Sequence, residues 1–221
     1  MSSGLNRFTW DLRKAPPSGD EGFFGPGGTP ILPGHYRVRM VLEGEPSETL
    51  LEVLADPRIE IPATRRLAKI EALETAGAWI SLSGEARNRL QEAIQSVSDV
   101  LGSFEAGGEG EELREAGEAL KATLEASMER LFTGPSCQGI CGGDPVASPI
   151  RQPMGMLSSS LDEPSPNDRA AMARALTSLQ TVIDEVNALF QGPVADFRTS
   201  LQAGGFTPFP VREPLRVGRG G

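Results

Sequence analysis

Trp10 and Asp11, adjacent in the stretch GLNRFTWDLR, are the residue types of a sugar site: an aromatic face for stacking beside a carboxyl for proton transfer. Asp56, followed by Pro57 and Arg58, offers a second acid, and Glu109, Glu111, Glu112, Glu115 and Glu118 a run of them. Glycoside hydrolysis, however, needs two carboxyls facing each other across a cleft, about 5–10 Å apart, and no pair here converges by its spacing. The one histidine, His35, has no serine or cysteine at a recognisable nucleophile elbow, so nucleophilic catalysis lacks its base. The glycine-rich FFGPGGTP is followed neither by Gly-Lys-Ser/Thr nor by a helix start, and it is not a phosphate loop. Cys137 and Cys141, spaced C-x-x-x-C, are too few to ligate a structural zinc with His35 so distant; they read as two loop thiols or as a local disulfide in an oxidising compartment. The sequence therefore assigns no catalytic, cofactor-binding or metal-ligating residue.

Each candidate has a structural reading instead. Trp10 falls on the same alternating face as Phe8 and Leu12, as a sandwich-core residue would. Asp56 suits a cap or an ion-pair partner at a junction between modules. The glutamate run suits a solvated helix start, where acids complement the dipole. Trp79, in AGAWISL, reads as bundle core, with a partner-facing anchor as the alternative.

The elements that carry these residues follow from periodicity. Phe8, Trp10 and Leu12 alternate with polar neighbours, as do Tyr36, Val38, Met40 and Leu42, and a third strand is expected over Thr49–Leu54. Pro33-Gly34 fits a type II turn ahead of the second strand. From Ile61 the period becomes helical: Leu67, Ile70 and Leu73, then Leu90, Ile94, Val97 and Leu101, predict one long helix over about 62–104, kinked or broken at Ser81–Gly84. A second helix over about 111–132 carries Leu113, Leu120, Leu124, Met128 and Leu131, and a loop over 134–149 precedes a short helix from Met154 to Leu161. Ser165, Pro166 and Asp168 form a helix-start signature for 165–191, whose stripe is Met172, Leu176, Leu179, Ile183, Val186 and Phe190. A last helix over 193–203 presents Val194, Phe197 and Leu201, and an extended tail, 206–221, is expected to lie back across the bundle.

Composition bounds the rest. The chain has 221 residues, 26 of them Gly and 18 Pro, so substantial loop accompanies any folded part. A net charge of −9 repels a phosphate backbone, which argues against a nucleic-acid partner. No run approaches the roughly 18–20 apolar residues of a membrane helix, and MSSGLNRFTW has no signal-peptide pattern, so no membrane partner and no export signal are expected.

GLNRFTWDLR, LPGHYRVRMVLEG, VLADPRIEI and the late segment SPNDRAAMARALTSLQTVIDEVNALFQGPVADFRTSLQAGG together resemble the C-terminal region of sortilin-like (VPS10-type), BNR-repeat β-propeller proteins, often labelled glycosyl hydrolases. The resemblance implies a partial immunoglobulin-like β-sandwich (1–57) followed by an antiparallel helical bundle (58–205): an α+β fold, mainly α. Three strands would leave the sandwich open, so strands upstream, and the propeller before them, are expected to belong to the parent protein or to a neighbouring gene. The Asp-box pattern S-x-D-x-G-x-x-W occurs nowhere. The expected function is a non-catalytic accessory region that packs against a β-propeller or another protein, with self-association through the open sheet edge; the alternative is a glycoside hydrolase-related fragment. Extracytoplasmic residence is what the resemblance implies.

Overall fold

A computed structural model describes residues 7–14, 28–104, 110–134, 143–206 and 211–218, and shows an α+β fold that is mainly helical. Its β part is one hairpin, β1 (Gly34–Leu42) and β2 (Glu45–Val53), antiparallel in the register Leu42↔Glu45 to Gly34↔Val53. Glu43 (φ 54°) and Gly44 (φ 90°) form its two-residue turn. Positive φ at both central positions is the type I′ geometry, whose twist matches that of the strands. The pair beside the closing one, Val41↔Pro46, then falls where no ladder hydrogen bond is due, so β2 begins at Glu45 rather than at Thr49 despite the proline.

The strand expected over Phe8–Leu12 is absent. Leu12 adopts a left-handed φ of 60°, which ends any extended run, and only a short antiparallel bridge forms, Arg13 with Pro30. It is flanked by hydrogen bonds from Ile31 N–H to the Leu12 carbonyl (3.0 Å) and from Lys14 N–H to the Thr29 carbonyl (2.9 Å). Gly34 is also not the third residue of a type II turn: at φ 156° it already lies in the β1 ladder, opposite Val53.

The helices are α1 (Ala63–Leu101), α2 (Glu111–Met128), α3 (Gln152–Ser158), α4 (Pro166–Gln191) and α5 (Pro193–Ala203). The long helix expected here runs through Ser81–Gly84 without a break. Ser83 lies on the buried face between Ile80 and Ala86, and Gly84 faces open space, so α1 loses only the weak helix propensity of one glycine. The short helix predicted from Met154 to Leu161 sits earlier. A 3₁₀ turn over Ser148–Arg151 leads into it, and Ile150, Met154 and Leu157 are buried at steps of four and three, whereas Leu161 is exposed.

The chain divides into two compact units, Met1–Glu74 with Leu157–Ser165, and Thr75–Met156 with Pro166–Gly221. In the first, Lys14 pairs with Glu74, and Arg65 reaches Asp162 (2.7 Å) and Glu163 (3.2 Å). In the second, Leu90, Ala93 and Val97 of α1 meet Leu120 and Leu124 of α2 and Val194, Phe197 and Leu201 of α5 in a continuous apolar cluster. Its close approach needs Gly117, where a Cβ would stand 2.9 Å from Leu101 Cδ2 and 3.0 Å from Phe197 Cζ. α2 ends in a π-helical turn, Glu129–Thr133, which holds Leu131 in the interior. The buried face of α4 runs along Ala171, Ala175, Ser178, Leu179, Val182, Ile183 and Val186. The predicted stripe is therefore offset at its start: Leu176 is exposed, and small residues take the inner positions.

Candidate interaction surface

Alternation in the hairpin sorts its residues onto two unlike faces. Directly opposed residues share a face, so Tyr36 with Leu51, Val38 with Thr49, Met40 with Ser47 and Leu42 with Glu45 make one; His35 with Glu52, Arg37 with Leu50, Arg39 with Glu48 and Val41 with Pro46 make the other. The second exposes Leu50 and Val41 and also carries charge, with Glu48 between Arg37 and Arg39 at 3.7 Å from each. Exposed pairs of that kind contribute little stability, about 0–1 kcal/mol each.

The first face carries a row of half-exposed apolar residues opposite Thr49, Ser47 and Glu45. Val38, Met40, Leu42 and Leu51 are each between 41% and 53% exposed. At its base the Trp10 ring meets Tyr36 edge to face, centroids 5.7 Å apart. Trp10 is fixed there by its indole N–H, which donates to the Arg13 carbonyl at 2.9 Å, and Tyr36 by its hydroxyl, which donates to the Leu32 carbonyl at 2.5 Å. An isolated two-stranded hairpin is at best marginal in water.

Sequence-nominated residues occupy structural roles around this ribbon. Trp10 is half-buried as a support for Tyr36, not as the centre of a core: Phe8 is 90% exposed and Leu12 is exposed too. Asp11 accepts a hydrogen bond from the Arg13 amide at 3.2 Å and so stabilises its own turn. His35 stands on the charged face opposite Glu52. Asp56 turns the chain out of β2: it accepts the Arg58 amide (3.0 Å) and grips the Arg58 guanidinium through both oxygens, at 3.0 and 2.7 Å. These side-chain and backbone hydrogen bonds from Arg58 hold the Asp56 carboxyl below its ordinary pKa. Arg66 then donates to the carbonyls of Ile59 (2.9 Å) and Ile61 (3.0 Å), fixing the lead into α1.

The acids of α2 are similarly accounted for. Glu111 and Glu112 lie in its first turn, and Arg114 pairs with Glu111 one turn back and Glu118 one turn on. Hydrogen bonding to Glu111, then the charges of Glu111 and Glu118, raise the guanidinium pKa, which only fixes it as a cation. Glu109, Cys137 and Cys141 lie outside the described residues. Trp79 is half-buried on α1. Among the described residues no group of three or more His, Cys, Asp or Glu could hold a metal ion, and no helix is long and apolar enough to cross a membrane.

Sequence reading missed the Glu43-Gly44 turn, although an X-Gly pair between two alternating runs is its signal. It also missed Asn187, a poor helix former near the C-terminal end of α4 whose side-chain amide has a partner outside the helix. No family model matches the chain, and no curated protein or solved structure matches it.

Proposed function

We propose that this chain is a non-catalytic interaction module in which the apolar face of the β1–β2 ribbon covers, and is covered by, a β-structured partner. The observation that carries the reading is the exposure of apolar side chains along the ribbon: Val38, Met40, Leu42 and Leu51 on one face, and Leu50 and Val41 beside the Arg37, Arg39 and Glu48 charges on the other. The nature of the partner rests on the resemblance of GLNRFTWDLR, LPGHYRVRMVLEG and VLADPRIEI to sortilin-like β-propeller proteins. On this reading the ribbon is part of an immunoglobulin-like sandwich, and the propeller side supplies the remaining cover.

Asp11 and Asp56 are each engaged with a backbone amide, as turn-forming acids are. Purified chain is expected to turn over aryl glycosides no faster than buffer. Turnover that disappears in Asp11→Asn or Asp56→Asn would overturn the non-catalytic reading.

The partner is tested by protection. Arg37 and Arg39 are exposed tryptic sites within β1. A separately expressed sortilin-like β-propeller, added in excess, is expected to slow cleavage at both while leaving cleavage at Arg87, on the exposed side of α1, unchanged. Equal rates at all three sites with and without the propeller would contradict the assignment of the ribbon as its contact.

A further inference from the structure

The segment Val211–Gly218 is extended and mostly exposed, yet one of its side chains, Leu215, is only 6% exposed. It lies along a groove between α1 and α4 whose walls include Arg89, Val186, Asn187 and Phe190. Among the described residues no backbone-to-backbone hydrogen bond holds this segment; side chains of the two helices do so instead. The Asn187 amide pairs with both polar groups of one residue: its Nδ2 donates to the Leu215 carbonyl and its Oδ1 accepts the Leu215 N–H, each at 2.8 Å. That is the hydrogen-bond pattern an adjacent β-strand would offer, supplied by one side chain.

Two residues upstream, the Arg89 guanidinium donates to the Glu213 carbonyl and is braced by Glu85, which accepts from its Nε at 3.1 Å and its Nη2 at 2.6 Å. Pro214, between these two anchor points, has no N–H to satisfy and favours the extended conformation that the groove accepts. Arg212 pairs with Glu92 at the rim, which sets the direction of the segment more than its affinity.

We propose that this groove is a recognition site for an extended peptide of the pattern Arg-x-Pro-Leu, and that residues 211–218 are its resident occupant in cis. Asn187 and Arg89 read the peptide backbone, and the pocket that takes Leu215 reads the side chain. Because the segment is held by separable side-chain contacts and not by a sheet ladder, the same site accepts the same peptide in trans once the cis copy is displaced. The proposal does not depend on the function of the ribbon, which lies in the other unit.

The test uses the full chain carrying Leu215→Asp, which puts a charge into the apolar pocket and ejects the cis segment, and a fluorescently labelled peptide with the sequence of residues 211–218. An attached segment competes at an effective concentration on the order of 1 mM. The peptide is therefore expected to bind Leu215→Asp at least about tenfold more tightly than wild type, and Asn187→Ala added to that variant is expected to weaken binding by about tenfold through loss of two hydrogen bonds. No gain in binding by a folded Leu215→Asp chain, or no loss with Asn187→Ala, would overturn the proposal. If Leu215→Asp fails to fold, hydrogen exchange at the Leu215 amide decides: protection in wild type that Asn187→Ala removes supports the site, and equal exchange in the two sinks it.

Discussion

The carboxylate of Asp56 takes three hydrogen bonds from a single neighbour, Arg58, and its ionisation is coupled to the geometry of the turn it makes. Its folded pKa lies below the unfolded one, so its contribution is present above the unfolded value and is lost as pH falls through the folded value. An NMR titration is expected to show Asp56 ionising below the ordinary aspartate midpoint of about 3.9, and Arg58→Ala to move it back up towards that midpoint. Two glycines make a second pair of predictions with opposite signs. Gly84 faces open space in mid-helix, so Gly84→Ala should raise stability by about 1 kcal/mol in urea unfolding. Gly117 lies against Leu101 and Phe197, so Gly117→Val should lower it by about 1–3 kcal/mol in the same measurement. Residue types alone mark both positions as glycine in a helix. Only the packing tells which one is replaceable.

Among the elements, the helices were legible to different depths. Val194, Phe197 and Leu201 of α5 are buried at the spacing that periodicity indicates, because each sits in a short helix with one inward face. In α4 the large residues mislead: burial follows Ala171 and Ala175 at its start, since close helix contact selects small side chains and leaves Leu176 at the surface. The β region was the least legible. Alternation in Phe8, Trp10 and Leu12 is the same signal as in Tyr36, Val38 and Met40, yet only the second run finds a pairing partner, through a type I′ turn set by Glu43 and Gly44. A period of two states which faces a segment would have as a strand. It does not state whether another strand lies within reach. The candidate surface shows the same limit, since the apolar members of the ribbon could be named from the sequence but their exposure could not.

At the scale of the whole molecule, the chain separates a first unit that carries the ribbon from a second that carries the apolar cluster of α1, α2 and α5. An apolar face with an unpaired edge on each strand favours association, whereas a net charge of −9 opposes unspecific aggregation and leaves a directed contact as the favoured outcome. The account's central claim is that Val38, Met40, Leu42 and Leu51 form a contact surface which, with no propeller present, pairs with a second copy of the chain, and light scattering coupled to size exclusion over a range of protein concentrations tests it directly. Wild-type chain is expected to shift from monomer towards dimer as concentration rises, and Met40→Glu combined with Leu51→Glu to remain monomeric with an unchanged helical circular dichroism signal. A wild-type chain that stays monomeric throughout, or a double variant that associates as strongly as wild type, would contradict the claim.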